Sequence, residues 1–431
     1  MANTPGTNFF GRTDFRGEAK VFGIRPDDRR RHMYVLGKTG MGKSTLILNM
    51  AVQDIRAGRG VGIIDPHGDL AEACLASVPS WRTNDVVYFD PADREFPVAF
   101  NVMDVPSYSD ADLTASGIIG TFRKLFADSW GPRLENTLRH AALSLLARPE
   151  STLIEVLTLL LDERFREKVI RDEKDPVLRR FWDRQFREYS ARFRAEVVEP
   201  VQNKVSQFLA NPLIRNIVGQ SRSRFDVRDV MDGRKILIMN LSKGRIGEDN
   251  SALLGNLMIA KIQGAAMARA DSPERLRPDF YLYVDEFHNF ASSAFAGILA
   301  EVRKYGLALI LAHQYSGQLV HKNDAAVRDA VFGTVGTVVS FRVGADDARI
   351  LERHFAPEFS AADLVGLSKY CFYVQLTIEG MAARPFSARS LSPIDVSDTA
   401  LNAGNIIRCS RERYARPRAK VEEQVRSRLR F

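Results

Sequence analysis

Cysteine is scarce: Cys74, Cys371 and Cys409 are the only three in 431 residues. They are odd in number and far apart, so they can build neither a disulfide framework nor a CxxC metal site. A reducing, cytoplasmic setting is expected. The seven histidines do not pair at ligand spacing, and His288 and His313 read as local hydrogen-bonding groups rather than zinc ligands. Long apolar runs are missing too. The most apolar stretch, Leu153–Leu161, is interrupted by Glu155 and falls short of the roughly 20 residues a bilayer requires. Met1 to Asn8 is small and polar and lacks the basic start and apolar core of a signal peptide. No transmembrane segment of the chain's own is expected. With 45% hydrophobic and 26% charged residues the chain is ordinary globular material, and it contains no internal repeat or low-complexity tract.

Sixty-one Lys and Arg against 53 Asp and Glu give +8, which suits an acidic polymer or an anionic surface as partner. The excess is not spread evenly. Gly404 to Phe431 carries nine basic and three acidic residues, or +6, which leaves +2 on everything before it. Val421, Val425 and Leu429 recur there at helical spacing, so a helix after Pro417 would have one narrow apolar stripe and a basic remainder.

The length exceeds what one hydrophobic core comfortably holds, so two units, or one domain with an insertion, are expected. Seven short runs are apolar on both faces: 32–36, 61–64, 86–89, 236–239, 281–284, 307–311 and 335–339. Strands that do not alternate in polarity belong to a parallel sheet covered on both sides, so the fold class is α/β and doubly wound. Between Ser107 and Arg224 strand-like runs vanish and helical periodicity takes over, with Pro200 and Pro212 read as helix boundaries. The expected division is a flexible N-terminus over 1–19, core over 20–106, an all-helical insertion over 107–225, core again over 226–395 and a basic C-terminal tail over 396–431.

The strongest local signal is Gly37, Lys38, Thr39, Gly40, Met41, Gly42, Lys43, Ser44 and Thr45, which fits GxxxxGK[ST] between a strand and a helix. Backbone N–H groups of such a loop face phosphates, Lys43 reaches the β- and γ-phosphates, and Ser44 ligates Mg²⁺. Gly40 and Gly42 are read as letting the backbone approach where a side chain would clash. ATP and Mg²⁺ are the implied cofactors. The apolar run ending at Val284 delivers Asp285 and Glu286 to the same sheet edge. Asp285 is expected in the Mg²⁺ shell and Glu286 as the group that orients and deprotonates the attacking water. Gln314, after the run 307–311, is the candidate γ-phosphate sensor. Arg303 is either a solvated helix-end arginine or one projected into a neighbour's nucleotide, with Arg342 as a second candidate. Asp65 either joins the metal's outer shell or serves a polar strand-to-helix turn.

With Gly37–Thr45, Tyr283 to Phe290, and Arg303-Lys304-Tyr305-Gly306 running into Ala312-His313-Gln314 in view, the chain resembles the HerA/FtsK superfamily of P-loop motor ATPases. Within it the likeness is to TraG/TraD-type conjugative coupling proteins of type IV secretion, over roughly residues 20 to 390. The resemblance implies a RecA-like core, often a hexameric ring, with an all-helical domain between the two Walker motifs. It also implies DNA as partner, Arg303 as a finger acting in trans, and Gln314 as the glutamine after the following strand. Coupling proteins of this type usually carry N-terminal membrane helices. Here only about thirty residues precede the first core strand, so a cytoplasmic protein, or one peripheral at the inner membrane through membrane-bound secretion partners, is expected. An ATPase that powers secretion-system assembly or protein export, and a nucleotide-dependent binding switch, are the alternatives.

Overall fold

The computed structural model describes residues 6–14, 19–105, 111–320, 324–395 and 399–429. The expected boundaries at 107 and 396 fall outside these residues, as do Arg430 and Phe431. The chain forms two compact units, one of Met1–Phe89, Arg228–Ser242 and Arg269–Cys409, the other of Asp90–Val227, Lys243–Ala268 and Ser410–Phe431.

The first unit is built on one eleven-stranded sheet. Its strands are β1 (Asn8–Thr13), β2 (Val21–Ile24), β3 (Met33–Leu36), β4 (Gly60–Asp65), β5 (Val86–Phe89), β6 (Ile236–Asn240), β7 (Phe280–Val284), β8 (Leu307–His313), β9 (Thr337–Ser340), β10 (Cys371–Gln375) and β13 (Phe386–Ser390). A separate hairpin pairs β11 (Thr377–Ile378) with β12 (Met381–Ala382). The sheet order is β2-β1-β13-β10-β9-β3-β8-β7-β4-β6-β5. From β9 to β5 every neighbouring pair is parallel. All seven apolar runs of the sequence lie in this block, and every residue of its strands is buried. Both faces must therefore be apolar, and that is what made the runs legible.

The other four sheet strands pair antiparallel and leave some residues at the surface. They include a correction. Residues 8–13, expected to be flexible, are strand β1, where Phe10 is fully buried against the rings of Phe22 and Phe372. Asn8 is also buried and donates to the Met50 carbonyl and the Asp54 carboxylate, both at 2.9 Å.

The second unit is helical, but it is not one inserted block. To the helices between Ala111 and Val218 it adds Glu248–Ala268 and the C-terminal helix Arg418–Leu429. Glu248–Ala268 packs on Ala111–Leu125 so closely that a Cβ at Gly117 would come within 2.8 Å of the Ala260 methyl. Helix starts follow capping chemistry. Thr152 and Glu155 form a reciprocal capping box, and Asp162 accepts the Phe165 N–H at 3.0 Å. That cap starts a new helix, so Leu153–Leu161 and Glu163–Asp172 are separate elements. Pro212 opens a helix, whereas Pro200 lies inside Ala191–Leu209 and does not end it. An interior proline costs about 3 kcal/mol. Here Val197, Val198, Val201, Val205 and Phe208 bury one face of the helix and offset that cost.

The C-terminal segment is not a tail. It is folded as Ala403–Tyr414 and Arg418–Leu429, and in the latter Val421 and Val425 are buried as the narrow stripe predicts. Leu429, the third residue of that stripe, stays exposed. Arg428 pairs with Glu155 of the capping box, and Arg411 pairs with Asp93 at 2.6 Å. Among the described residues no helix is long and apolar enough to cross a membrane.

Candidate nucleotide site

Strands β3, β4, β7 and β8 are parallel neighbours, so their C-terminal ends form one edge. Leu36 stands opposite His313, Leu311 opposite Val284, and Val284 opposite Ile64. Whatever follows those residues meets at that edge, which is where α/β sheets bind ligands.

After β3 the loop Gly37 to Gly42 leads into the helix Lys43–Arg56, whose first turn points its N–H groups into the loop. The loop is held from behind by hydrogen bonds from Phe341 N–H to the Leu36 carbonyl (2.8 Å), Lys38 N–H to the Arg342 carbonyl (2.9 Å) and Tyr370 N–H to the Met41 carbonyl (2.9 Å). Arg342 thus serves the loop through its backbone. Gly42 has φ of +119°, and a Cβ there would meet the Tyr370 ring at 2.9 Å. Gly40 is different. With φ of +76° and nothing within 4 Å, it needs glycine for its backbone conformation and not to avoid a clash within the chain.

Lys38, Thr39, Gly40 and Ser44 are exposed, and Met41 and Thr45 are half-buried. The Lys43 ammonium is buried and folds back on the loop, donating to the Gly37 carbonyl at 2.5 Å and the Lys38 carbonyl at 3.2 Å. Burial lowers its pKa, and the Glu286 and Asp285 carboxylates oppose that shift.

Asp285 and Glu286 follow β7 and are both buried. Burial, then the charges of Glu286 and Asp65, push the Asp285 carboxyl up to about 6. A carboxylate so raised is one that a cation would satisfy. With the exposed Ser44 hydroxyl it makes a hard oxygen pair that fits Mg²⁺ bound chiefly through water and phosphate. Asp65 is spent on its own turn, accepting the N–H groups of His67 (2.8 Å) and Ala71 (2.9 Å). It supports the turn reading and acts on the site through its charge. Glu286 sits at φ of +43°, a left-handed conformation that costs a non-glycine residue. Its Oε1 accepts the side-chain amide of Gln314 at 3.0 Å, and Oε2 lies 3.3 Å from His288 Nδ1.

Lys43, Asp285, Glu286 and Gln314 are therefore together, and Arg303 is not with them. It is exposed in the turn Val302–Tyr305, before β8 begins, whereas Gln314 follows its last residue. Seven strand residues at about 3.3 Å each put roughly 20 Å between the two ends. Sequence reasoning missed Tyr34, Gln318 and Tyr370. Nothing in their spacing marks them, because each is brought in by the folding of a different strand or loop.

A mostly parallel sheet whose parallel strands are buried throughout, a GxxxxGK[ST] loop after one strand and an acidic pair after another define a P-loop nucleoside triphosphatase. A family model described as the type IV secretion-system coupling protein DNA-binding domain matches residues 18–354. The chain belongs to that family. Among solved structures it is similar to the bacterial conjugative coupling protein TrwBdeltaN70 in its unbound form, at TM-score 0.59 and 17% identity over 89% of each chain. It is also similar to the plasmid coupling protein TrwB in complex with an ATP analogue, at 0.59 and 17% over 91% of this chain and 96% of that one. The VirB4 structure from Thermoanaerobacter pseudethanolicus matches at 0.59 and 14% over 90% and 97%. At these identities the likeness is one of fold. No match was found among curated proteins.

Proposed function

We propose that the chain is an ATP-hydrolysing DNA translocase of conjugative type IV secretion. The observation that carries this is the meeting of Lys43, Asp285, Glu286 and Gln314 at one sheet edge, in a chain of the coupling-protein family. TrwB structures hold an ATP analogue in one case, ADP and Mg²⁺ in another and a GTP analogue in a third, which supports a purine nucleoside triphosphate as ligand.

In this reading the N–H groups of Gly37–Thr45 and the Lys43 ammonium bind the β- and γ-phosphates, and Ser44 and Asp285 hold Mg²⁺. Bound ATP with Mg²⁺ supplies the phosphoryl group that water attacks. Glu286 accepts the proton of that water as the oxygen bonds to the γ-phosphorus, and the bond to ADP breaks. Gln314 reports whether the γ-phosphate is present. Arg303, at the far end of β8, reaches the nucleotide of a neighbouring copy in a ring, with a hexamer as the expected size. DNA is the translocated partner, and the membrane is reached through secretion-system proteins.

Glu286→Gln should bind ATP with unchanged affinity while turnover falls by about 10²- to 10⁴-fold. Wild-type turnover in that variant removes Glu286 from the chemistry. ATPase rate is expected to rise with added DNA and to lose that rise steeply with salt, as phosphate contacts require. A rate indifferent to single- and double-stranded DNA favours an assembly or export motor instead.

A further inference from the structure

Glu286 and Gln314 are joined through a third side chain. Gln318, in the short turn Ser316–Leu319 after β8, places its carbonyl oxygen 3.2 Å from the N–H groups of Gln314 and Tyr315 and 3.1 Å from His313 Nδ1. Its amide nitrogen lies 3.4 Å from His288 Nε2, and His288 Nδ1 lies 3.3 Å from the free oxygen of Glu286. On the other side, His313 Nε2 is 2.6 Å from the hydroxyl of Tyr34 on β3, the strand that feeds the phosphate loop. The turn is anchored by Asp347, which accepts both the N–H (2.9 Å) and the hydroxyl (2.6 Å) of Ser316.

These contacts admit one arrangement of protons. Gln318 Oε1 only accepts, so His313 carries its proton on Nδ1 and takes the Tyr34 hydroxyl proton at Nε2. Gln318 Nε2 only donates, so His288 accepts at Nε2 and carries its proton on Nδ1, facing Glu286. The Gln314 amide donates to the other Glu286 oxygen. From Tyr34 on β3 the donors run in one direction as far as His288 Nδ1, which stands 3.3 Å from Glu286 Oε2 without the alignment of a hydrogen bond. The backbone of Glu286 is held as well, its carbonyl accepting the N–H (3.0 Å) and side-chain amide (2.8 Å) of Asn289.

We propose that His288 and Gln318 are positioning residues that hold Glu286 and Gln314 in register as one unit. This rests on the reading of Glu286 as the group that activates water. Gln318 fixes where the Gln314 backbone sits and, through His288, which way the Glu286 carboxylate faces. A γ-phosphate that drew the Gln314 amide away would free one Glu286 oxygen for water, while His288 Nδ1, 3.3 Å from the other oxygen, would close on it and hold it in place. The two glutamines and the histidine thus link phosphate sensing to base orientation without His288 or Gln318 touching the nucleotide.

The test uses the full chain with four variants, Glu286→Gln, His288→Ala, His288→Gln and Gln318→Ala, each checked by thermal melting. His288→Ala and Gln318→Ala should lower kcat by about ten- to a hundredfold, the scale of a misplaced reacting group, with ATP affinity changed by less than about twofold. His288→Gln, which keeps a neutral donor and acceptor, should recover part of the loss. Nitrogen-15 spectra of the labelled histidines should show His288 protonated on Nδ1 in the wild type and no longer fixed in Gln318→Ala. Wild-type kcat in both alanine variants, equal losses of kcat and affinity, or an Nε2-protonated His288 overturns the proposal. If Glu286→Gln is dead while the alanine variants turn over normally, the positioning role fails and the base assignment stands. If Glu286→Gln turns over normally, the base assignment fails, and the histidine spectra alone decide whether the Gln318–His288 contact holds.

Discussion

His32 immediately precedes β3, the strand that feeds the phosphate loop, at φ of +66°, with its ring fully enclosed. Nε2 donates to the Leu299 carbonyl at 3.0 Å and Nδ1 accepts the Leu309 N–H at 3.1 Å, so the ring must be neutral to make both bonds. Burial pushes its pKa down to about 4, against the pull of the Leu299 hydrogen bond. A histidine held neutral in the fold and free to protonate near pH 6.5 when unfolded stabilises the protein fully above that pH. That contribution, about 3 kcal/mol, is lost as pH falls toward 4. His313, pushed to about 3 by burial, acts in the same direction. His32→Asn keeps a neutral side chain that tolerates the left-handed backbone. Its melting temperature should therefore fall less steeply than the wild type's between pH 6.5 and 4.5, and parallel curves would remove His32 from the acid response. At this scale the sequence was informative where chemistry is local. Gly37–Thr45 and Asp285-Glu286 are contiguous in the chain and follow strands, so their meeting could be anticipated. His32, Tyr34 and Gln318 act through residues hundreds of positions away or through a turn whose shape no spacing reveals.

Among the elements, the helix Lys43–Arg56 and strand β7 carry the two halves of the site, and a buried ionic cluster ties them together. Asp54, near the end of the helix, receives a two-pronged contact from Arg29 (2.8 and 2.7 Å), one from Arg59 (2.8 Å) and one from the Tyr283 hydroxyl on β7 (2.5 Å). Burial would push the Asp54 carboxyl up, but the Arg29 guanidinium and the Tyr283 hydroxyl hold it below the usual carboxylate range. Arg29 also lies over the Tyr281 ring at 3.7 Å. Asp54→Ala leaves the enclosed Arg29 charge unpaired, so a loss of about 3–5 kcal/mol is expected in denaturant unfolding. A loss under about 1 kcal/mol would mean that water enters and solvates Arg29. The parallel strands were readable because both faces are apolar. β1, β10 and β13 were not, because strands with a partly polar face in short, mixed segments give no such run, and Pro200 misled because packing outweighs a single broken hydrogen bond. The C-terminal helix Arg418–Leu429 was anticipated by its valine stripe. Its partners, Leu153–Leu161 and Pro212–Val218, were not. Val425→Asp should undock it, and faster amide exchange across Arg418–Leu429 checks this.

For the molecule as a whole, the separation of Arg303 from Gln314 makes the proposed chemistry depend on neighbours. Arg303→Ala and Lys43→Ala chains, each inactive alone, should recover part of the wild-type ATPase rate when mixed, because some interfaces then pair an intact loop with an intact arginine. No recovery at any ratio would place Arg303 outside the reaction or make it serve its own subunit. The sequence foretold a helical stretch between two core segments but not that Glu248–Ala268 joins it, because that helix is apolar on most sides and its periodicity names no partner. The chain passes from one unit to the other five times. A piece cut at 107–225 would lack both Glu248–Ala268 and Arg418–Leu429, exposing the surfaces those helices cover, and should be recovered aggregated or unfolded. The Gly117–Ala260 approach sharpens the point, since it joins helices whose sequences lie on opposite sides of β6. Such a protein cannot exchange its helical unit for another by a single recombination event.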